Sequence, residues 1–190
     1  MYKKILVSSL FASLLFSSCI KSKDVVFEQN LAELDVASFN TNFGTLTYPF
    51  VTRQPLAGRA VLGVDPFITR ASGTATFRVN LLGKQRSTPS TVKYTVFTVG
   101  SSVGASVTYG APVSGTLATL EGLASTHYTD PTNGTCTIPA NSSFGIITIN
   151  IINSGSSVNQ TALVGIELAG GGDIPISTNY NKIAFAISQK

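Results

Sequence analysis

Cys19 and Cys136 are the two thiols of this 190-residue chain, and their neighbours assign them different chemistry. Before Cys19 come Lys3 and Lys4, an apolar run from Ile5 to Phe16, and the small residues Ser17 and Ser18. Cleavage just before that cysteine leaves one residue with a thiol and a new α-amine, and both can carry acyl chains. Each buried CH₂ of such chains contributes about 0.8 kcal/mol to membrane anchoring. Cys136 sits in Gly134-Thr-Cys-Thr-Ile138, where polar and apolar residues alternate. It therefore shares a face with Ile138 and is expected as a small, buried, inert apolar residue. With the first thiol lipidated, the second has no disulfide partner.

The other reactive residues are sparse. The one histidine, His127, needs an activated serine and an acid beside it for nucleophilic catalysis. Gly155-Ser-Ser is too ordinary in a Ser-rich chain to mark that serine, and a lone histidine at a strand edge is expected to be structural. Glu121 and Asp130 come nearest to a glycosidase pair, but closeness in sequence does not set two carboxyls across a cleft. One histidine and one free thiol do not fill a tetrahedral zinc site. Gly170-Gly-Gly follows a strand, with no helix after it to hold a phosphate. These residues predict no catalysis, no metal and no cofactor.

The apolar run before Cys19 is about a dozen residues, short of the roughly 20 that span a bilayer. Its charged, apolar and small-residue zones match an export signal, and the closing cysteine makes it closely resemble a bacterial lipoprotein signal. Residues 1–18 are expected as signal peptide, 19–38 as the lipidated Cys19 and a tether, and 39–190 as a β-sandwich domain. Within that domain, 39–73 is separable as an accessory N-terminal β segment. Asn30 and Glu33 can cap a short helix bearing Leu31 and Leu34, although a flexible spacer is favoured over so short a helix. The formal net charge is +4, but Lys3 and Lys4 leave with the signal. Arg53, Arg59, Arg70, Arg78, Lys84, Arg86 and Lys93 are spread out without aromatic interleaving, so a solvated surface is expected and no nucleic-acid partner.

From about Phe39 onward the pattern is strand after strand. In residues 74–81, Ala75, Phe77, Val79 and Leu81 point one way and Thr76, Arg78 and Asn80 the other. Val92, Tyr94 and Val96 alternate with polar residues, as do Ile147, Ile149 and Ile151; Ala162, Val164, Ile166 and Leu168 share a face, and so do Ile183, Phe185 and Ile187. A period of two marks strands buried on one side. Gly, Asn and Pro punctuate the intervals at 83–87, 130–134, 153–155 and 170–173. Short strands at near-regular spacing predict an all-β fold, an antiparallel immunoglobulin-like β-sandwich.

The segment order over residues 76–187 carries a family likeness. Val79-Asn-Leu-Leu-Gly83 is followed by a strand at 92–99, then Ala124-Ser-Thr-His127-Tyr128-Thr129 and Thr137-Ile-Pro-Ala-Asn141. Val164-Gly-Ile-Glu-Leu168 and Ser177-Thr-Asn-Tyr180 precede the last strand. This order resembles the Calx-beta-like, immunoglobulin-type domains of lipoproteins of unknown function from Bacteroidetes-type bacteria. Strict Calx-beta domains bind Ca²⁺ through clustered carboxylates in end loops. Here the loop after residues 146–152 reads Asn153-Ser-Gly-Ser-Ser-Val-Asn-Gln160, with no carboxylate to offset cation dehydration. Ca²⁺ is therefore not carried over. In such domains the aromatic ring at the position of Tyr128 is structural.

What the resemblance implies is a binding role, with glycan capture at the cell surface as the leading expectation. Sandwich domains take sugars on exposed aromatic rings, with amides and hydroxyls reaching the sugar hydroxyls. The chain has no Trp, so Tyr48, Tyr109 and Tyr180 are the candidate platform. The alternative is a protein-interaction, adhesion or assembly component of the cell envelope that uses a sheet edge. Either way the expected partners are a membrane, through the lipid anchor, and a carbohydrate or an envelope protein. The expected location is the outer membrane, on its surface or periplasmic face.

Overall fold

The computed structural model describes residues 29–35, 43–56, 59–153, 155 and 157–190. The expected signal peptide and Cys19 lie outside the described residues. The period-two segments are strands: β1 (Leu31–Leu34), β2 (Phe50–Val51), β3 (Thr74–Leu82), β4 (Ser90–Thr98), β5 (Ser106–Tyr109), β6 (Gly115–Glu121), β7 (Tyr128–Thr129), β8 (Thr135–Ile138), β9 (Phe144–Ile151), β10 (Gln160–Ala169) and β11 (Lys182–Ser188). One sheet has the order β1-β3-β9-β7 and the other β2-β11-β10-β4-β8, with β6 also pairing β10 and β5 pairing β6. The ladders are antiparallel except β6 on β10 and β2 on β11. The fold is an antiparallel, immunoglobulin-like β-sandwich, as the alternation and turn spacing predict.

Alternation decides where the core sits. Phe77, Val79, Ile147 and Ile149 of the smaller sheet face Val92, Val164, Ile166 and Phe185 of the larger one, and all are buried. The Phe77 and Phe185 rings meet across the two layers with centroids 4.8 Å apart. Each fully buried side chain of this size contributes about 1.5–3 kcal/mol. A second cluster lies on the outer side of the larger sheet. There Leu163, Ala184 and Ala186 of β10 and β11 are covered by Phe50, Val107, Tyr109 and Leu117, with Phe43 and Phe97 packed alongside. The Phe43 and Phe50 rings stack at 4.3 Å.

The start of the fold differs from the sequence expectation. Leu31 and Leu34, expected on a spacer or a short helix, belong to a strand. β1 pairs β3 from Leu31↔Leu82 to Leu34↔Val79. On its other side Ala32 N donates to Pro175 O at 2.9 Å and Ser177 N donates to Ala32 O at 2.8 Å. A helix of one or two turns has no comparable way to satisfy its backbone, whereas the strand also places Ala32 and Leu34 in the core at 0% and 1% exposure. Residues from Gln29 therefore belong with the sandwich, ahead of the expected boundary at 39. Leu34→Ala is expected to cost about 2–5 kcal/mol, read as a lower urea midpoint with unchanged slope. A change within about 0.5 kcal/mol would show β1 to be dispensable.

Candidate functional site

The loop before β2 and the long β10–β11 connection meet at one end of the larger sheet. Glu167 and Lys182 are cross-strand partners there, and Lys182 Nζ lies 2.8 Å from Glu167 Oε2. The ammonium also sits 5.5 Å from the Tyr48 ring centroid and 5.1 Å from that of Phe97, close enough for cation–π attraction. Tyr48 and Phe97 meet edge-on at 6.2 Å. Phe97 pairs with Gly165 in register, and a Cβ on Gly165 would fall 2.1 Å from the Phe97 ring. Glycine at that position is what lets the ring lie across β10, beneath Tyr48.

Tyr180 enters from the opposite wall. Its carbonyl accepts from Leu34 N at 2.7 Å, so β1 sets the height of the loop that carries it. Tyr180 is 43% exposed, whereas Tyr48 is half-buried. With Asn179, Asn181, Glu167 and Lys182 the two tyrosines line a recess of about 310 Å³. Burial pushes the Tyr48 hydroxyl up from its ordinary value, Lys182 pulls it back and Glu167 adds to the rise. That hydroxyl stays protonated at neutral pH and is available as a donor. The recess thus offers two aromatic faces ringed by amides, a phenol and one balanced ion pair.

Of the three tyrosines singled out in the sequence, the structure brings Tyr48 and Tyr180 together and places Tyr109 elsewhere. Tyr109 is 3% exposed, edge-on to Phe67 at 5.1 Å, and its hydroxyl accepts from Thr161 Oγ1 at 3.3 Å. Burial raises its pKa to about 12. It belongs to the second core because alternation along β5 turns it inward with Val107. Sequence reasoning missed the Glu167–Lys182 pair, Asn179, Asn181 and Phe97. The available signal was the position of Glu167 and Lys182 on either side of the connection between two strands.

The residues weighed for catalysis are held in structural roles. Leu123 N donates to His127 Nδ1 at 3.0 Å, which leaves the neutral ring its proton on Nε2, 3.3 Å from Ser157 Oγ. A Ser–His base needs the reverse arrangement, with Nε2 free to accept. Asp130 Oδ1 accepts from Tyr94 OH at 2.7 Å and from Thr132 N at 3.0 Å, and Oδ2 accepts from Gly134 N at 2.7 Å. Burial pushes its pKa up, but these hydrogen bonds outweigh that and hold it below the ordinary value. Cys136 is 1% exposed and its thiol is pushed up to about 12 by burial. Residues 100–104 also spell Gly-x-Ser-x-Gly, a pattern the sequence reading passed over. A nucleophile elbow needs a strand-to-helix turn, and here Ser102 lies in a three-residue 3₁₀ turn, Ser101–Val103, ahead of β5. Among the described residues no three His, Cys, Asp or Glu side chains gather as metal ligands. The residues that follow β9 do not fit the Ca²⁺ of strict Calx-beta domains.

No protein-family model and no curated protein sequence matches the chain. Similar solved structures include the apo form of the Calx CBD1 domain, at 12% identity and TM-score 0.47, over 86% of this chain and 99% of that one. A Bacteroides ovatus protein of unknown function matches at 11% identity and TM-score 0.45, over 86% of this chain and 53% of its own. A proposed carbohydrate-binding protein from Bacteroides ovatus matches at 12% identity and TM-score 0.39, over 77% of this chain and 36% of its own. The chain thus spans about half of one Bacteroides protein and about a third of the other. Likenesses at this level concern fold and carry no argument about function.

The buried imidazole makes a pH prediction. Burial lowers the His127 pKa from 6.5, so the unfolded chain binds a proton that the folded chain resists. Its contribution is full above about 6.5 and falls away as pH drops below that value. The carboxylates held low, Asp65 by Arg59 and Leu62 N, Asp130 by Tyr94, Thr132 and Gly134 N, and Asp173 by Thr91 and Arg86, lose theirs only as pH falls below 3.8. Urea midpoints at pH 7.5 and pH 5 are expected to differ for the wild type and to converge for His127→Gln. Equal loss in both proteins would remove His127 from the account.

Proposed function

We propose that this chain is a non-catalytic, membrane-anchored extracytoplasmic binding lipoprotein whose Tyr48–Tyr180 recess takes a carbohydrate. The observation that carries this reading is the meeting of two tyrosine rings with Asn179, Asn181 and the Glu167–Lys182 pair in one open recess. A sugar ring offers C–H faces that pack on aromatic rings and hydroxyls that need both donors and acceptors. Here the amides supply both, Glu167 accepts and Tyr48 donates. The ion pair is internally balanced, so the recess suits a neutral sugar better than a charged one. The Lys3–Cys19 segment supports the anchoring part of this reading, with the outer membrane as the proposed location.

A second reading, contact with an envelope protein, is favoured by a separate observation. Leu56, Leu62 and Val64 are 45%, 49% and 87% exposed on one loop, which Arg59 braces through an ion pair with Asp65. β5 also pairs only with β6 among the described residues and leaves an open edge.

Screening on a glycan panel followed by calorimetry is expected to find a neutral glycan whose affinity falls about three- to ten-fold in Tyr180→Ala. Tyr109→Phe, which alters a residue outside the recess, is expected to bind as the wild type does. No binder on the panel, or Tyr180→Ala binding as the wild type does, would overturn the carbohydrate reading. Protease treatment of intact and lysed cells tests the address, with Cys19→Ser expected to leave the membrane fraction. Loss of signal from intact cells would mean surface display, and protection until lysis a periplasmic face.

A further inference from the structure

We propose that the turn between β3 and β4 is an anion site that seats the phosphate of an anionic lipid headgroup. The turn supplies Lys84, Gln85, Arg86, Ser87 and Thr88, and with Asn30 and Asn141 at its sides it bounds a recess of about 560 Å³. Every one of these side chains carries a hydrogen-bond donor, two are cations and none is a carboxylate. The Tyr48 recess, by contrast, includes Glu167. Among the described residues neither Lys84 nor Arg86 forms a salt bridge. The adjacent acid, Asp173, is already engaged: its Oδ2 accepts from Thr91 N and Thr91 Oγ1, both at 2.7 Å. Arg86 Nη1 hydrogen-bonds only the Asp173 main-chain oxygen, at 3.3 Å, and its charge adds to the lowering of the Asp173 carboxyl without an ion-pair contact. The walls are tied together, since Asn141 N donates to Arg86 O at 2.7 Å.

The position of the recess selects the source of the phosphate. Gly83 has φ +106°, and a Cβ there would fall 2.6 Å from both Gln29 O and Asn30 Oδ1. Glycine therefore allows the start of β1 to lie directly against this turn. Ten residues lie between Cys19 and Asn30, and the eleven steps from one to the other can span at most about 40 Å. On the anchoring reading above, on which this proposal rests, the chain enters the sandwich beside the cationic turn. A lipid surface is then always within reach, and binding a headgroup is effectively intramolecular. A phosphate free in solution has no such advantage. Each cation near an anionic surface contributes roughly five-fold in partitioning, and salt weakens that within a Debye length of about 8 Å.

The test uses vesicles. All the strand contacts described above lie within residues 29–190, so a chain beginning at residue 19 with Cys19→Ser retains the sandwich without an anchor. Sedimentation is expected with vesicles containing phosphatidylglycerol and not with phosphatidylcholine alone. Lys84→Gln and Arg86→Gln are each expected to lower it about five-fold, with urea midpoints confirming the fold. Lys190→Gln removes the same charge near Ser114 and is expected to change nothing. Three results would overturn the proposal: no preference for the anionic vesicles, an equal loss in Lys190→Gln, or binding of inorganic phosphate without binding of vesicles. The anchoring reading fails separately, if mass spectrometry of the protein from its own membranes finds no acyl group on Cys19.

Discussion

β10 has to bury two faces at once, and much of the molecule follows from that. Its even-numbered residues, Ala162, Val164, Ile166 and Leu168, fill the space between the sheets, while Leu163 looks out into a second apolar cluster. A strand covered on both sides loses the polar face that a sandwich strand ordinarily gives to water. The chain answers with small residues on the outer face, Gly165 in β10 and Ala184 and Ala186 in β11, which leave room for a layer of rings. Phe43, Phe50, Phe97 and Tyr109 occupy that layer. The β5–β6 hairpin and the segment before β2 exist structurally as its cover.

The candidate recess is the edge of that same layer. Where the small residues give way to Glu167 and Lys182, the ring cover stops at Tyr48 and water begins. The ammonium–carboxylate pair marks this border and steadies two rings from above. Replacing Gly165 would therefore reach the recess without touching it, because Phe97 is the surface on which Tyr48 leans. Site and core are continuous here. The recess is shaped by packing that has nothing to do with a ligand.

How much of this is legible in the sequence depends on distance along the chain. Alternation is local, so β3, β4, β9, β10 and β11 show themselves through Phe77, Val92, Ile147, Val164 and Phe185 without knowledge of their partners. β1 does not. Leu-Ala-Glu-Leu is a sequence of good helix formers, and it becomes a strand only because β3 and residues 175–177 offer hydrogen bonds on both sides. Tyr48 and Tyr180 stand out as aromatic residues in a chain without Trp. Glu167 and Lys182 look like any surface charges until register sets them opposite one another. The burial of Tyr109 was hidden for another reason: alternation says which residues share a face, never that a second layer will cover it.

The bond from Leu34 N to Tyr180 O also has a mechanical meaning. On the anchoring reading, a load applied at Tyr180 and resisted at Cys19 runs from the 175–180 loop into β1 and out along the chain. Ala32 and Ile176 pair in parallel, so opposite pulls slide the two segments past each other and strain their hydrogen bonds together in shear. Unzipping one bond at a time would require the pull to act across the strands instead. Tyr180 is also two residues from Lys182, where β11 enters the larger sheet, so the same load divides between the β1 contacts and that sheet.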